Sequence, residues 1–245
     1  RPAGRGEGTE LGDGRAGTLA YHYTEAVNPE IADLAWRDRA EDVARLRVSA
    51  LRWLRRAAEL ALARFDLDDA LGLLERAAEL RPDDAELWHS IAHVNALKFD
   101  GTAFWESMQK TLELTAGEAE RGELYAELSF ESTMRGAMWK VAPDWALVSE
   151  WIGEALEHAP PDSRSYAYGL VGKSLLEDDI SAAERAIAIA ERIDDVELLS
   201  FGLSAHAGVA QYTADFTTAS ELELRRLDLA QRINDPDHLA LIHWG

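Results

Sequence analysis

Asp66-Leu67-Asp68-Asp69-Ala70 is the first of five similar turns that recur along this chain of 245 residues. The other four begin at Asp100, Asp144, Asp179 and Asp215, so the steps between them are 34, 44, 35 and 36 residues. An internal period of this length is typical of stacked helical hairpins, each of which buries its apolar face against its neighbours. The sequence therefore predicts an extended recognition surface rather than an active site.

Apolar residues between the turns recur at helical spacing, and no sustained alternation of polar and apolar residues predicts a strand. The predicted helices cover about 18–26, 38–65, 71–80, 85–98, 102–115, 118–140, 144–158, 163–177, 180–193, 196–213 and 217–233. The ten extra residues of the third repeat are expected to lengthen its first helix around Arg121 to Glu127. The predicted fold is all-α, a right-handed solenoid of about five helical hairpins.

Three places in each repeat test this register. With the recurring Asp at the sixteenth place of a 34-residue unit, the eighth, twentieth and twenty-seventh places are chosen without reference to their content. They hold Ala58, Ala92, Gly136, Val171 and Ala207; Ala70, Phe104, Val148, Ala183 and Ala219; and Ala77, Thr111, Ala155, Ala190 and Arg226. Ten of these fifteen are Ala or Gly, residues that make up only 58 of the 245 in the chain. Small residues let antiparallel helices approach closely, so the register predicts where the helices of a hairpin touch.

The same register resembles the tetratricopeptide pattern. Trp88 stands at its fourth place, and Pro82 and Pro160 stand at its thirty-second. The resemblance covers about residues 51–233 and implies a protein-recognition array. Arg226, where a small residue is expected, makes the last repeat atypical.

Charge and composition restrict the partners. The net charge is −20, from 25 Lys and Arg against 45 Asp and Glu, and phosphate or anionic lipid binding needs clustered cations. We therefore expect neither nucleic acid nor a membrane as the partner of this segment. No Cys is present, which fits a cytoplasmic protein.

The organisation predicted from composition has four parts. Residues 1–17 contain six Gly and almost no apolar residues, so we expect a flexible linker. A helical lead-in follows at 18–50, then the repeats at 51–233, and 237–245 begin a further helix that is cut short. The chain is expected to be a fragment of a longer protein.

Two stretches resemble a known junction in large bacterial signalling proteins, where an ATPase module leads into tetratricopeptide repeats. They are Leu19-Ala20-Tyr21-His22-Tyr23-Thr24-Glu25-Ala26 and Trp53-Leu54-Arg55-Arg56-Ala57-Ala58-Glu59-Leu60-Ala61. The chain resembles most the repeat region of actinobacterial class III adenylate/guanylate cyclases that carry an ATPase module. LuxR-type transcription regulators with an ATPase core have very similar tails. The resemblance implies a parent protein and places no catalytic or cofactor residue on this chain.

The candidate site residues follow from the tetratricopeptide register, in which first-helix places line a concave groove. They are Arg52, Arg55, Glu59, Glu86, His89, His93, Lys140 and Tyr168. His89 and His93 are four residues apart and therefore share one helix face. They are interpreted as groove contacts, as ordinary partly buried histidines, or as ligands of a metal-dependent enzyme. For a metal site the sequence offers no evident third ligand, and Ser90 stands where a zinc-peptidase motif has Glu.

Arg52, Arg55 and Lys140 could form a basic island for an acidic peptide or a terminal carboxylate. The alternative is that Arg52 and Arg55 pair with acids of the neighbouring helix. The paired acids such as Asp83-Asp84 and Asp178-Asp179 lie at turns. They are predicted to cap helices rather than to act in catalysis or to bind calcium.

Overall fold

The computed structural model describes residues 14–28, 36, 39–233 and 236–244. Within them the chain is all-α, with no strand. The helices are α1 (Ala16–Val27), α2 (Ala40–Ala63), α3 (Leu67–Leu80), α4 (Ala85–Leu97), α5 (Gly101–Leu114), α6 (Glu118–Met134), α7 (Trp145–His158), α8 (Arg164–Glu177), α9 (Ile180–Arg192), α10 (Val196–Tyr212), α11 (Phe216–Leu229) and α12 (Pro236–Trp244). Two short 3₁₀ helices cover Gly136–Met138 and Ala230–Arg232. The predicted linker lies mostly outside the described residues, although α1 begins inside it.

The chain divides into two compact units, residues 1–98 and 99–245. In the first unit, α1 packs on α2, and α2 forms an antiparallel hairpin with α3, which packs on α4. The shared core joins Ala16 and Ala20 of α1 to Leu54 of α2 and Ile91 of α4. The helical lead-in and the first repeat are therefore packed around the same core, and α2 is continuous through residue 50.

In the second unit, α6 and α7, α8 and α9, and α10 and α11 form three successive hairpins. The first helices of these hairpins pack side by side, since α8 contacts both α6 and α10. The core between them includes Phe130, Leu170, Ala186 and Leu203. This arrangement of hairpins is tetratricopeptide-like.

The predicted contact register is confirmed with one exception. All the residues at the eighth, twentieth and twenty-seventh places other than Gly136 are at most 3 % exposed. Fourteen residues chosen only by their distance from an Asp therefore lie in the helix contacts. Arg226 is buried as well, although an Arg at a place where a small residue is expected indicates a degenerate repeat.

Gly136 marks an error in the predicted third repeat. The first helix was expected to run to residue 140, but α6 ends at Met134, and residues 135–144 form a connection that contains the 3₁₀ helix. Most of the extra length thus lies between the two helices rather than within the first. In this connection the ring of Trp139 packs against Gly101, where an added Cβ would lie 2.8 Å from the ring.

The recurring Asp performs two tasks. Its carboxylate accepts a hydrogen bond from a backbone N–H in the first turn of the following helix at all five turns, for example from Ala103 to Asp100 at 3.1 Å. At Asp66, Asp179 and Asp215 its own N–H also bonds to the carbonyl five residues earlier, at 2.8–3.2 Å. The same residue therefore closes one helix and opens the next.

The residue before this Asp adopts the left-handed conformation at four of the five turns. The φ angles are 58° at Phe65, 57° at Phe99, 55° at Asp178 and 62° at Ala214. Such a residue reverses the chain at the end of a helix, a position that usually favours Gly because a Cβ is strained there. The fold accordingly stores backbone strain at its turns.

This strain gives a testable expectation at Ala214, whose side chain is only a methyl group. Ala214→Gly should raise the free energy of unfolding by about 0.5–1 kcal/mol, because Gly relieves the left-handed strain. Ala44→Gly, at an exposed position within α2, should lower it by about 1 kcal/mol. Chemical denaturation of both variants checks this, and a loss of stability in Ala214→Gly would contradict the turn geometry.

Candidate functional site

A cleft of about 480 Å³ opens in the first unit between α2, α3 and α4. Its floor is apolar and is formed by Ala58, Leu62, Ala70, Leu74, Leu87 and Val94. Its rim is polar and consists of Arg55, Glu59, Glu86, His89, Ser90 and His93. Five of the eight side chains predicted for the groove are therefore brought together in one cleft.

Helix periodicity explains why these residues meet. Arg55, Ala58, Glu59 and Leu62 are three or four positions apart and share one face of α2. The range 86–94 supplies the facing side of α4 in the same way. The cleft thus lies where the first helices of two successive repeats face each other, with α3 behind them.

Arg55 is held in place by the start of α4. Its guanidinium donates to Asp84 at 2.5 Å and to Glu86 at 3.1 Å, and Asp84 in turn caps α4 by accepting from the backbone N–H of Leu87. The predicted alternative for Arg55, pairing with acids of the neighbouring helix, is confirmed. These ion pairs fix the wall of the cleft and neutralise the charge that an acidic peptide would need.

Arg52 lies outside the cleft lining. It is exposed, and its guanidinium sits 4.7 Å from the ring centroid of Trp53. Among the described residues this ring contact is found for Arg52, and the predicted pairing with an acid is not. Glu59 pairs with Arg56 at 2.8 Å on the same helix. On the α2 side of the rim, Arg55 is therefore held in ion pairs, and the carboxylate of Glu59 is largely exposed.

His89 and His93 both line the cleft, one helical turn apart, with His89 half-buried and His93 exposed. Among the residues that the structure describes, no group of three His, Cys, Asp or Glu side chains is arranged to hold a metal ion. The two imidazoles therefore lie on the polar rim of the cleft, beside Ser90, where they can contact a ligand.

The prediction that Lys140 lies on a helix and faces the groove is wrong. It lies in the second unit, exposed, in the connection that follows Met134. The register counted back from Asp144 fails there because the connection between the two helices is longer than in the other repeats.

Tyr168 belongs to an aromatic cluster of the second unit. Its ring stacks on Phe130 with centroids 4.3 Å apart, and its hydroxyl accepts a hydrogen bond from Arg164 at 3.0 Å. Phe130 also packs edge-on against Phe201, which stacks on His238. Burial raises the pKa of Tyr168 to about 12, against the opposing effect of Arg164. Tyr168 is thus a packing residue that remains protonated at neutral pH.

Sequence reasoning missed the floor of the cleft. It considered only the first helices of the repeats as groove residues, whereas Ala70 and Leu74 come from α3. Ala70 occupies the twentieth place of the register, so its burial was expected, but its role beneath a cleft was not. No sequence signal distinguishes a buried contact that lies under an opening from one that is fully covered.

The prediction that the paired acids cap helices is confirmed for Asp84, Asp179 and Asp195, each of which accepts from a backbone N–H. Asp179 shows an additional electrostatic effect. A hydrogen bond from Lys173 at 3.0 Å, helped by Ser181 and the N–H of Ala182, lowers the pKa of Asp179 to about 2.

This shift predicts a pH dependence of stability. The folded-state pKa lies below the value of about 3.9 expected in the unfolded chain, so the ionised carboxylate stabilises the fold above about pH 4. This contribution is lost as the pH falls toward 2. Asp179→Asn, which retains a capping group, should be less stable than wild type at pH 7, and the difference should shrink at pH 3. Thermal unfolding at both pH values checks this; a difference independent of pH would contradict it.

Comparison with known proteins gives a likeness among solved structures. Neither a protein-family model nor a curated protein matches the chain. Among solved structures, YrrB, a tetratricopeptide protein with an unusual peptide-binding site, is 17 % identical with a TM-score of 0.43, over 78 % of this chain and 90 % of YrrB. None of the described helices is long and apolar enough to cross a bilayer.

Proposed function

We propose that the first unit is a recognition module that binds a short segment of a polypeptide in the cleft between α2 and α4. The observation that supports this most directly is the combination of an apolar floor with a polar rim in an opening of about 480 Å³. Sites for small ligands and peptide side chains have this construction, in which the floor provides affinity and the rim fixes orientation.

The composition of the cleft favours an apolar anchor residue in the ligand. Leu62, Leu74 and Val94 provide the surface against which such a side chain is buried, at roughly 25 cal/mol per Å² of apolar area. Glu59 and Glu86 offer carboxylate acceptors at the mouth, where their side chains are 63 % and 84 % exposed. The backbone N–H groups or a polar side chain of the ligand would bond to them.

An acidic peptide is disfavoured by the same geometry. The predicted basic island of Arg52, Arg55 and Lys140 would have attracted it, but Arg55 is bonded to Asp84 and Glu86. Arg52 and Lys140 are not among the residues that line the cleft. The ligand class is therefore an apolar-anchored segment with neutral or cationic flanks.

Peptide display tests this proposal. A random peptide library is selected on the chain, and the enriched peptides are measured by titration calorimetry. Ser90→Trp, which places a large ring at the mouth of the cleft from an exposed position, should abolish binding. Val48→Trp, at an exposed position of α2 that does not line the cleft, is the matched control. Binding that survives Ser90→Trp unchanged would place the ligand elsewhere.

The larger role follows from the resemblance of residues 19–26 and 53–61 to the junction between ATPase modules and repeats. We propose that this chain is the sensor or scaffold arm of a cytoplasmic, multidomain bacterial signalling protein. The favoured parent protein is an adenylate/guanylate cyclase with an ATPase module. The ligand segment would belong to another protein or to the ATPase or output domain of the same chain. The alternative parent is a LuxR-type ATP-binding transcription regulator.

The parent is tested by the complete reading frame and by activity. A cyclase domain supports the first parent, and a helix-turn-helix supports the alternative. If the arm regulates its neighbour, a peptide that binds the cleft should change the ATPase rate of the full-length protein by at least severalfold. An unchanged ATPase rate at saturating peptide would show that the arm is a scaffold without regulatory coupling.

A further inference from the structure

The negative charge of the chain is concentrated in its second unit. Residues 99–245 contain 11 Lys and Arg against 27 Asp and Glu, a net −16, whereas residues 1–98 contain 14 against 18, a net −4. A field of this strength attracts cationic partners and repels acidic ones. The second unit therefore attracts cationic partners more strongly than the first.

The two ends of the hairpins in this unit differ in their chemistry. At the end where one hairpin leads into the next, ion pairs join successive repeats. They are Arg164 with Asp195 and Glu197, Arg192 with Asp162, Arg225 with Glu191, and Arg232 with Asp194. At this end these five acids are paired with cations of the same unit, and the apolar Ile193 is 40 % exposed.

The opposite end carries exposed apolar residues. Trp145, Ile180 and Phe216 each follow the recurring Asp directly and are 46 %, 38 % and 67 % exposed. Because the two helices of each hairpin are antiparallel, the three equivalent connections lie at the same end of the stacked hairpins. Val141 and Tyr212 are exposed in the same turns. We call these five residues the turn edge.

Carboxylates accompany the turn edge. Asp144, Glu177, Asp178 and Asp215 are exposed beside its apolar members. Two cations lie at this end: Lys173 bonds to Asp179 at 3.0 Å and lies 3.8 Å from Glu177, and exposed Lys140 precedes Val141. The turn edge therefore combines several apolar side chains with an excess of negative charge. Single exposed apolar residues on an ordinary surface lack this combination.

We propose that the turn edge docks a cationic amphipathic α-helix of a separate protein. The apolar residues of that helix would cover Trp145, Ile180 and Phe216, and its Lys or Arg residues would meet the neighbouring carboxylates. A second copy of this chain is disfavoured as the occupant, since two units of charge −16 repel each other.

The spacing of the turn edge fits a helix. The first helices of the hairpins pack directly on one another, and packed helices lie about 8–10 Å apart. Seven residues of an α-helix rise about 10.5 Å. The connections before Ile180 and Phe216 are only two and three residues long, so side chains one heptad apart on a docked helix would reach these two turns.

Fluorescence anisotropy with a defined probe tests the proposal. The probe is a labelled synthetic helix of about 20 residues, built from Leu on one face and Lys on the other, long enough to span the three turns. The control probe has Glu in place of Lys. The edge variant combines Trp145→Ser, Ile180→Ser and Phe216→Ser. The matched control combines Leu224→Ser and Leu227→Ser, which are exposed apolar residues of α11 in the same unit. Neither set changes the charge.

At physiological salt, wild type should bind the Leu/Lys probe, and the edge variant should bind it at least about tenfold more weakly. The α11 variant should bind within twofold of wild type, and the Leu/Glu probe should not bind. Equal binding by the edge variant would overturn the proposal, because it would show attraction to net charge alone. Circular dichroism verifies that the variants are folded.

Two further measurements separate the alternatives. Light scattering that shows a dimer, lost in the edge variant, would identify a second copy as the occupant and overturn the proposal. The cleft variant Ser90→Trp should bind the probe as wild type does, since its change lies in the first unit. Failure of the cleft proposal and failure of the edge proposal are thereby distinguishable.

Discussion

Gly122→Ala should lower the free energy of unfolding of the second unit by about 2–3 kcal/mol, although Ala ordinarily stabilises a helix. Gly122 lies in α6 where the end of α7 crosses it. An added Cβ would lie 2.6 Å from the backbone nitrogen of Ala159 and 2.7 Å from the carbonyl carbon of His158. Both are backbone atoms, so the clash cannot be relieved by a change of rotamer. The two helices would have to separate and lose their packing.

Gly153→Ala is the control for this expectation. Gly153 is also helical, in α7, but nothing lies within 4 Å of its added Cβ. The variant should therefore gain about 0.5–1 kcal/mol from helix propensity. Differential scanning calorimetry of both variants measures the contrast. If Gly122→Ala were as stable as Gly153→Ala, the close approach of α6 and α7 would be wrong.

Gly122 also shows a limit of sequence reasoning. The register counted from Asp144 assigned the small contact residue of the third repeat to Gly136, whereas α6 and α7 approach closely at Gly122, fourteen residues earlier. A fixed period cannot locate a contact when the connection between two helices changes length. Where the period holds, as at Ala58, Ala183 and Ala207, the contact positions were predicted correctly.

Glu223→Ala should destabilise the second unit by about 3 kcal/mol, because it removes the carboxylate that accepts two hydrogen bonds from the buried guanidinium of Arg226. Arg226 is only 3 % exposed, and its guanidinium donates to both carboxylate oxygens of Glu223 at 2.8 and 2.9 Å. Removal of one member of a buried ion pair leaves the other in a medium of low polarity, typically at a cost of about 3–5 kcal/mol. The lower figure applies because Glu223 itself is 21 % exposed.

Glu221→Ala, an exposed acid of the same helix, should change stability by less than about 0.5 kcal/mol. The double variant Glu223→Ala with Arg226→Met replaces the guanidinium by an apolar side chain that fills much of its space. It should recover at least half of the loss. If the double variant is no more stable than Glu223→Ala, the loss of the contact causes the effect, and not the buried charge of Arg226.

The buried Arg226 could not be recognised from the sequence. At a place reserved for small residues, Arg indicated that the last repeat was degenerate, because a charged side chain is seldom buried without a partner. Its partner Glu223 lies one helical turn away, which is equally typical of an exposed pair. The hydrogen bond from Arg226 to Ser200 of α10, at 3.4 Å, marks the buried case, and such contacts depend on tertiary structure.

Helix boundaries and caps were the most predictable features. The predicted helix 85–98 is observed as Ala85–Leu97, and 196–213 as Val196–Tyr212, because Asp caps and apolar periodicity are local signals. The candidate site was predicted in part, through the spacing of Arg55, His89 and His93. Its floor and its ion pairs depend on how three helices meet, which the spacing within any one helix does not contain.

The two-residue turn that ends one helix and begins the next also has a meaning for the history of the chain. A left-handed residue followed by Asp carries both signals within the repeat itself, as at Phe65-Asp66 and Ala214-Asp215. A duplicated hairpin would therefore carry its own chain reversal and its own cap, whereas its packing contacts and ion pairs with the neighbouring hairpins would still have to be made.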